Sequence, residues 1–377
     1  MDFGLSEEQE QLKNSAHDLL RNECSTALVR SAMAEPDGMP RELYRKIAGL
    51  GWTGIVVPEE FGGAGLGLLD MAILLAECGY AAMPGPFLFS STLAASALML
   101  GGSDALKRRW LPALADGSAI GALAIVEEND SLSLGDIAAH ARKDGAGYAL
   151  NGVKMFVPYA HLADFVIVAA RDGGDSGDLG FWLVERGARG MSADVLVNLD
   201  QTRRVSRLRL DGVTVPAQAR LNGGVAMLDR LIDIGAVAIA ADSLGGIERA
   251  LEMAVEYSKI REQFGRPIGS FQALKHLAAD IVAELEPARS LLWYAAYAQE
   301  ALPAEASRAA AMAKARFSDV YTRATGRSVL MHGGIGFTWE HDIHLWFKRA
   351  RFNESMFGSP VFHRERLARL SAYDAAP

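Results

Sequence analysis

The sequence predicts an α+β protein in three consecutive parts. These are a helical N-terminal domain over 1–118, a middle β domain of barrel-like or sandwich form over 119–222, and a C-terminal bundle of about four helices over 223–377. Three observations predict it. Apolar residues recur at helical spacing through the first part. Between Ala119 and about Ala219, short apolar runs such as ALAIV, KMFV, DFVIVAA and GFWLV alternate with turn formers. From Val225 onward, long helical stretches return. A chain of 377 residues, half of them apolar, exceeds what one core ordinarily serves.

Each element has a local reason. Ser6 with Gln9 has the spacing of a capping box and opens a helix toward Asn22. Pro40 suits the first turn of a next helix, which Gly51 would end. Helical spacing continues over 68–79, 86–100 and 104–115. In the middle part, DGAG, RDGGDSGD and ERGARG read as turns between strands, because strand-like sequence flanks them. The C-terminal helices are expected over 225–264, 271–300, 304–332 and 340–353, with a kink or break near Glu286 imposed by Pro287.

Composition excludes several classes of function. The 38 basic and 46 acidic residues give a net charge of −8, so no broad nucleic-acid surface is expected. No stretch reaches the roughly 18 apolar residues of a membrane span. The start, MDFGLSEEQEQL, has no basic region followed by an apolar run, so no leader peptide is expected. Cys24 and Cys78 lack metal-ligand spacing and suit a reducing, cytoplasmic setting.

Most chemistry-bearing patterns dissolve on inspection. FGGAGLG over 61–67 lacks GxGxxG spacing and βαβ surroundings, and reads as a loop between helices. His341, Asp342 and His344 lie close together without a familiar metal motif, so no metal is expected there. Arg203, Arg204, Arg207 and Arg209 could grip phosphate, but Arg207 and Arg209 alternate with apolar residues as on half-exposed sheet. No GxSxG nucleophile elbow appears. Two segments stand out. REQFGRPIGSFQ, over 261–272, joins two long helices and offers Arg261 for a forked phosphate contact, with Phe264 beside it to pack on a planar group. A plain helix-to-helix turn, with Arg261 at a helix C-terminus, is the alternative. MHGGIGFTWEHD, over 331–342, bares the backbone at Gly333, Gly334 and Gly336, as a closely approaching ligand requires.

Taken together, VPEEFGGAGLGLLDMAILLAECG, WLPALADG, YALNGVKMFVPYAHLADFVIVAAR, YSKIREQFGRPIGSFQALKHLAAD and HGGIGFTWEHDIHLWFKRA resemble the FAD-dependent acyl-CoA dehydrogenase family over nearly the whole chain. The resemblance implies a dimer, or a tetramer of two dimers, with FAD extended at the dimer interface and its ring between the β domain and the bundle. Arg261, Phe264 and Gln272 would meet the pyrophosphate and adenosine of an FAD belonging mainly to the neighbouring subunit. Gly333 and Gly334 would let the backbone approach that FAD, and Phe156 and Val157 match the strand facing the flavin ring. The implied reaction is α,β-desaturation of an acyl-CoA thioester, with a carboxylate taking the α-proton, a hydride passing to FAD, and an electron transfer flavoprotein receiving the electrons.

Departures from the family pattern are as informative as the matches. The two positions at which the family places its glutamate base hold Gly235 and Phe357, neither able to accept a proton. Asp233 and Glu354 are the nearest carboxylates along the chain. Leu330, Pro158 and Ala236 replace a glutamine, a threonine and an arginine often found in the family. The resemblance extends to bacterial heterotetramers acting on steroid side-chain thioesters, which implies a subunit that lacks the base and helps to hold FAD. A scaffold subunit of the same fold without flavin, and a flavin-dependent oxidase, stay open as alternatives.

Overall fold

The computed structural model describes residues 4–173 and 177–371; the centre of the RDGGDSGD turn and the first three residues of the N-terminus lie outside them. The chain begins with six helices: α1 (Glu7–Glu23), α2 (Thr26–Ala34), α3 (Arg41–Gly49), α4 (Leu68–Tyr80), α5 (Ala95–Gly101) and α6 (Asp104–Ala115). Eight strands follow: β1 (Gly121–Ala124), β2 (His140–Asp144), β3 (Gly147–Pro158), β4 (Phe165–Asp172), β5 (Leu179–Glu185), β6 (Met191–Val195), β7 (Val205–Pro216) and β8 (Arg220–Leu221). Then come α7 (Gly224–Ile260), a small hairpin of β9 (Glu262–Gln263) and β10 (Arg266–Pro267), and the helices α8 (Gln272–Ala301), α9 (Pro303–His332), α10 (Ile343–Ser355) and α11 (Pro360–Leu370). Helical, β and helical regions follow in the expected order.

Local chemistry explains many of the boundaries. Ser6 caps α1 and closes a full capping box with Gln9. Pro40 is the residue just before α3, and Gly51, at φ 81°, follows its end. Ser359 caps α11, with Pro360 as its first residue. Of the kink or break expected at Pro287, the break does not occur: the residue sits inside a continuous α8. The neighbouring Leu285, Ala288 and Leu292 are buried, and Arg316 donates to the Glu284 carbonyl one turn before the proline, so packing holds the helix through the lost N–H.

The contacts form two compact units, each assembled from separated stretches. The first comprises 1–30, 68–83 and 236–377. Here α9 is the central helix, packed against α8, α10 and α11 through a buried face that includes Ala306, Ala310, Ala313, Phe317, Val320 and Ala324. Helices α4 and α7 cross backbone to backbone: a Cβ on Gly79 would stand 1.9 Å from the Asp242 carbonyl oxygen, and one on Gly245 1.7 Å from that of Ala76. Around this crossing, Arg349 pairs with Asp242 at 3.4 Å and donates to the carbonyls of Ala82 and Met83, while Asn353 donates to Asp242 at 2.8 Å.

The second unit comprises 31–67 and 84–235. Its sheet runs β6-β7-β3-β2-β4-β5-β8, with β1 paired to β4; the path is open and does not close into a barrel. Pairing is antiparallel except for β1 with β4 and β2 with β4. Ala122, Leu150, Val157, Val168, Trp182, Leu208 and Val213 share one buried core. The β7 burial alternates, leaving Arg209 exposed between buried Leu208 and Leu210, as its sequence predicts. FGGAGLG is a loop, as expected: Ala64, Gly65 and Leu66 hydrogen-bond back to 54–57, and a Cβ on Gly63 would meet the Val57 carbonyl oxygen at 2.0 Å.

Candidate functional site

Most of the candidate residues lie where α7 and α9 end. The last turn of α7 carries Tyr257, whose ring stacks on that of His332, the last residue of α9, with centroids 4.8 Å apart. Arg261 follows Tyr257 by one turn and Gly333 follows His332 directly, so this stack brings the two conspicuous segments side by side.

Next to the end of α7 lies a cavity of about 490 Å³, which Met331, two residues before Gly333, also lines. Val255, Pro267, Leu274, Ala278 and Met331 give it apolar walls, and Lys259 and Lys275 supply cationic side chains. The Arg261 side chain is exposed and makes no hydrogen bond or ion pair among the described residues. Gly333, at φ 64°, takes a left-handed turn, and an added Cβ on Gly333 or Gly334 would meet nothing within 4 Å. An open backbone on one segment and an uncommitted guanidinium on the other are donors of the kind a pyrophosphate takes.

Phe264 projects from the turn of the β9–β10 hairpin. With Gly265 it occupies the two central positions, at φ 55° and 75°, a turn that ordinarily favours asparagine or glycine at the first of them. Its ring is 90% exposed and meets Phe271 edge-on at 6.0 Å. Arg266 lies 4.2 Å from the Phe271 ring, and Gln272, exposed, begins α8.

Phe156 and Val157 belong to the other unit. A bulge in β3 between Lys154 and Val157 turns Phe156 outward at φ 53°, with 42% of it exposed. Val157 points into the sheet core, so its main chain is what it can offer a ligand. The bulge is anchored by Lys154, which donates to the Ile125 carbonyl at 2.9 Å and to Glu127 at 2.7 Å. Burial pulls Lys154 down to about 8 against the Glu127 charge. For Glu127, burial pushes upward, but the Lys154 charge and the N–H groups of Ala138 and Ala139 hold it below its ordinary value.

At the positions where a base is sought, Gly235 is buried within α7 and Phe357 stands at φ 55° between α10 and α11. Asp233 is fully buried, and the Glu354 carboxylate is taken by Arg351 at 2.7 Å and Thr322 at 3.4 Å. Phe156, Phe264 and Phe357 thus share a left-handed backbone that L residues rarely adopt, each at a candidate position. The residues 341–344 serve structure: Arg30 pairs with Asp342 at 2.7 Å and bonds the Trp339 carbonyl, and His344 stacks on Trp339.

Sequence reasoning missed the Tyr257–His332 stack, Lys314 and His363. For Lys314 a signal existed: it lies on the buried apolar face of α9 among Ala310, Ala313 and Phe317, where a charged side chain must be accounted for.

Comparison with known proteins gives concordant results. The profile of the acyl-CoA dehydrogenase N-terminal domain matches residues 6–118, and that of the acyl-CoA dehydrogenase C-terminal domain matches residues 222–371. The acyl-CoA dehydrogenase IpdE2 of Mycobacterium tuberculosis is 36% identical over 97% of both chains. In the crystal structure of the ChsE4–ChsE5 complex, also from Mycobacterium tuberculosis, a chain superposes with a TM-score of 0.91 at 30% identity, with 100% of each chain covered. The Tcur3481–Tcur3483 steroid ACAD gives a TM-score of 0.88 at 30% identity, covering 98% of this chain and 99% of that one.

Proposed function

Because the chain belongs to the acyl-CoA dehydrogenase family, a family of oxidoreductases, we propose that it takes part in FAD-dependent α,β-desaturation of an acyl-CoA thioester as the subunit that holds FAD without supplying the base. The observation that carries this reading is the Tyr257–His332 stack, which brings the segment of uncommitted Arg261 next to that of the open Gly333–Gly334 backbone. In it, Arg261 would hold the pyrophosphate of an FAD belonging mainly to the neighbouring subunit by a forked contact, and the bare main chain of Gly333 and Gly334 would approach the same FAD. Phe264 covers a planar face, and Gln272 donates from the start of α8. Phe156 and the Val157 main chain are assigned to the flavin ring from the family resemblance alone.

FAD, when bound, supplies the acceptor for the hydride leaving Cβ. The proton at Cα needs a carboxylate within hydrogen-bond reach, and Gly235 and Phe357 provide none. A second dehydrogenase-like chain therefore brings the base, in a heterotetramer rather than a homo-oligomer. The names of the ChsE4–ChsE5 and Tcur3481–Tcur3483 complexes support two unlike subunits, and the second supports a steroid thioester as the substrate class. An electron transfer flavoprotein takes the electrons onward, and the setting is the cytoplasm. No helix among the described residues is long and apolar enough to cross a membrane.

The test is to express the chain alone and together with a second dehydrogenase-like chain of the same organism, then record flavin spectra and turnover on steroid side-chain and straight-chain acyl-CoA. Turnover by the pair alone supports the proposal. Full flavin occupancy and turnover by the lone chain overturn it. A colourless pair identifies a scaffold, and stoichiometric peroxide an oxidase.

A further inference from the structure

We infer that Lys314 is a positioning residue that, together with His363, fixes the left-handed turn at Phe357 and so sets where the Phe357 ring stands. Lys314 lies wholly inside the first unit, 0% exposed. Its three ammonium protons have three acceptors: Ser318 Oγ at 3.0 Å, the Glu354 carbonyl at 3.1 Å and the Gly358 carbonyl at 2.9 Å. Those carbonyls bracket Phe357. The carbonyl of Phe357 itself lies 2.7 Å from Nε2 of the fully buried His363 on α11. One helix thus clamps the turn on either side of Phe357 and a second clamps its middle.

The clamp holds a conformation that needs holding. Phe357 has φ 55°, unfavourable for an L residue, and such geometry persists only when its surroundings over-determine it. Burying an ammonium is itself costly, and burial pulls the Lys314 pKa down to about 7. The charged groups near it make their hydrogen bonds elsewhere or act on it only through space. Glu354 turns its carboxylate to Arg351 and Thr322, and Arg366 acts on His363. The Glu354 charge favours the Lys314 ammonium, but Lys314 makes its hydrogen bonds to the Glu354 and Gly358 carbonyls and the Ser318 hydroxyl, the work of a clamp. Resting on the reading above, in which Phe357 stands where a base would be, the clamp fixes an aromatic wall at the acyl end in place of a carboxylate.

Amide hydrogen exchange on the cofactor-free chain tests this without reference to flavin or substrate. In Lys314→Met, exchange at 355–358 rises about tenfold or more while that at 345–352 in α10 stays as in wild type. Adding Phe357→Gly, which takes a left-handed φ without strain, returns 355–358 to within about threefold of wild type. Unchanged exchange at 355–358, a rise spread evenly along α9 and α10, or no recovery with glycine would overturn the inference. Should Lys314→Met not fold, His363→Gln with and without Phe357→Gly makes the same comparison, with the same outcomes for and against.

Discussion

Arg349 shows how much a single buried charge decides in this molecule. It and Asp242 are both fully buried, and each is satisfied by the other and by neighbouring polar groups. Such a pair adds little net stability over apolar residues of the same shape, but removing one member strands the other. Arg349→Leu is therefore expected to cost about 3–5 kcal/mol, read as a fall in the urea midpoint with unchanged slope. A loss below about 1 kcal/mol would mean that Asp242 finds full compensation from Asn353. At this scale the sequence was legible where a residue type conflicts with its surroundings, as at Arg261 in a turn or Gly333 in a cluster. It was silent where a partner is main chain far away: the acceptors of Lys314 lie 40 and 44 residues along the chain.

Between elements, close approach and proton uptake give two expectations. Gly245→Ala would push α7 off α4 and is expected to destabilise by about 1–3 kcal/mol, measurable by urea unfolding. Near the end of α9, His332, His341 and His344 are each held below the ordinary histidine value of 6.5, chiefly by burial. Nδ1 of His332 is 2.7 Å from the Ser328 carbonyl, and the rings of His332 and His341 are 4.4 Å apart. Native protein therefore binds fewer protons than unfolded protein just below pH 6.5, so stability is complete above that value and falls as pH drops through it. His332→Gln and His341→Gln should each flatten this decline between pH 6.5 and 5; an unchanged slope would show that these rings titrate normally in the fold. Elements with strong periodicity were readable from sequence. Nine-residue α2 carries no strong periodic signal, and the start of α11 is marked only by Ser359 and Pro360.

The whole molecule is where sequence order misleads most. Residues 68–83 cluster with the C-terminal helices, because glycines on α4 and α7 let two backbones touch across more than 150 residues of chain. Nothing in local spacing announces that pairing, whereas the helix–strand–helix order follows directly from periodicity. The functional account likewise rests on two segments distant in sequence and joined by the Tyr257–His332 stack. Its most direct test is FAD affinity, measured by fluorescence titration of the co-expressed complex after flavin removal, for wild type and Arg261→Ala. The account predicts that Arg261→Ala weakens FAD binding about tenfold or more, as loss of a charge-assisted contact of about 1.5–3 kcal/mol requires, without changing the melting temperature of the flavin-free protein. Equal FAD affinity in the two proteins would contradict it.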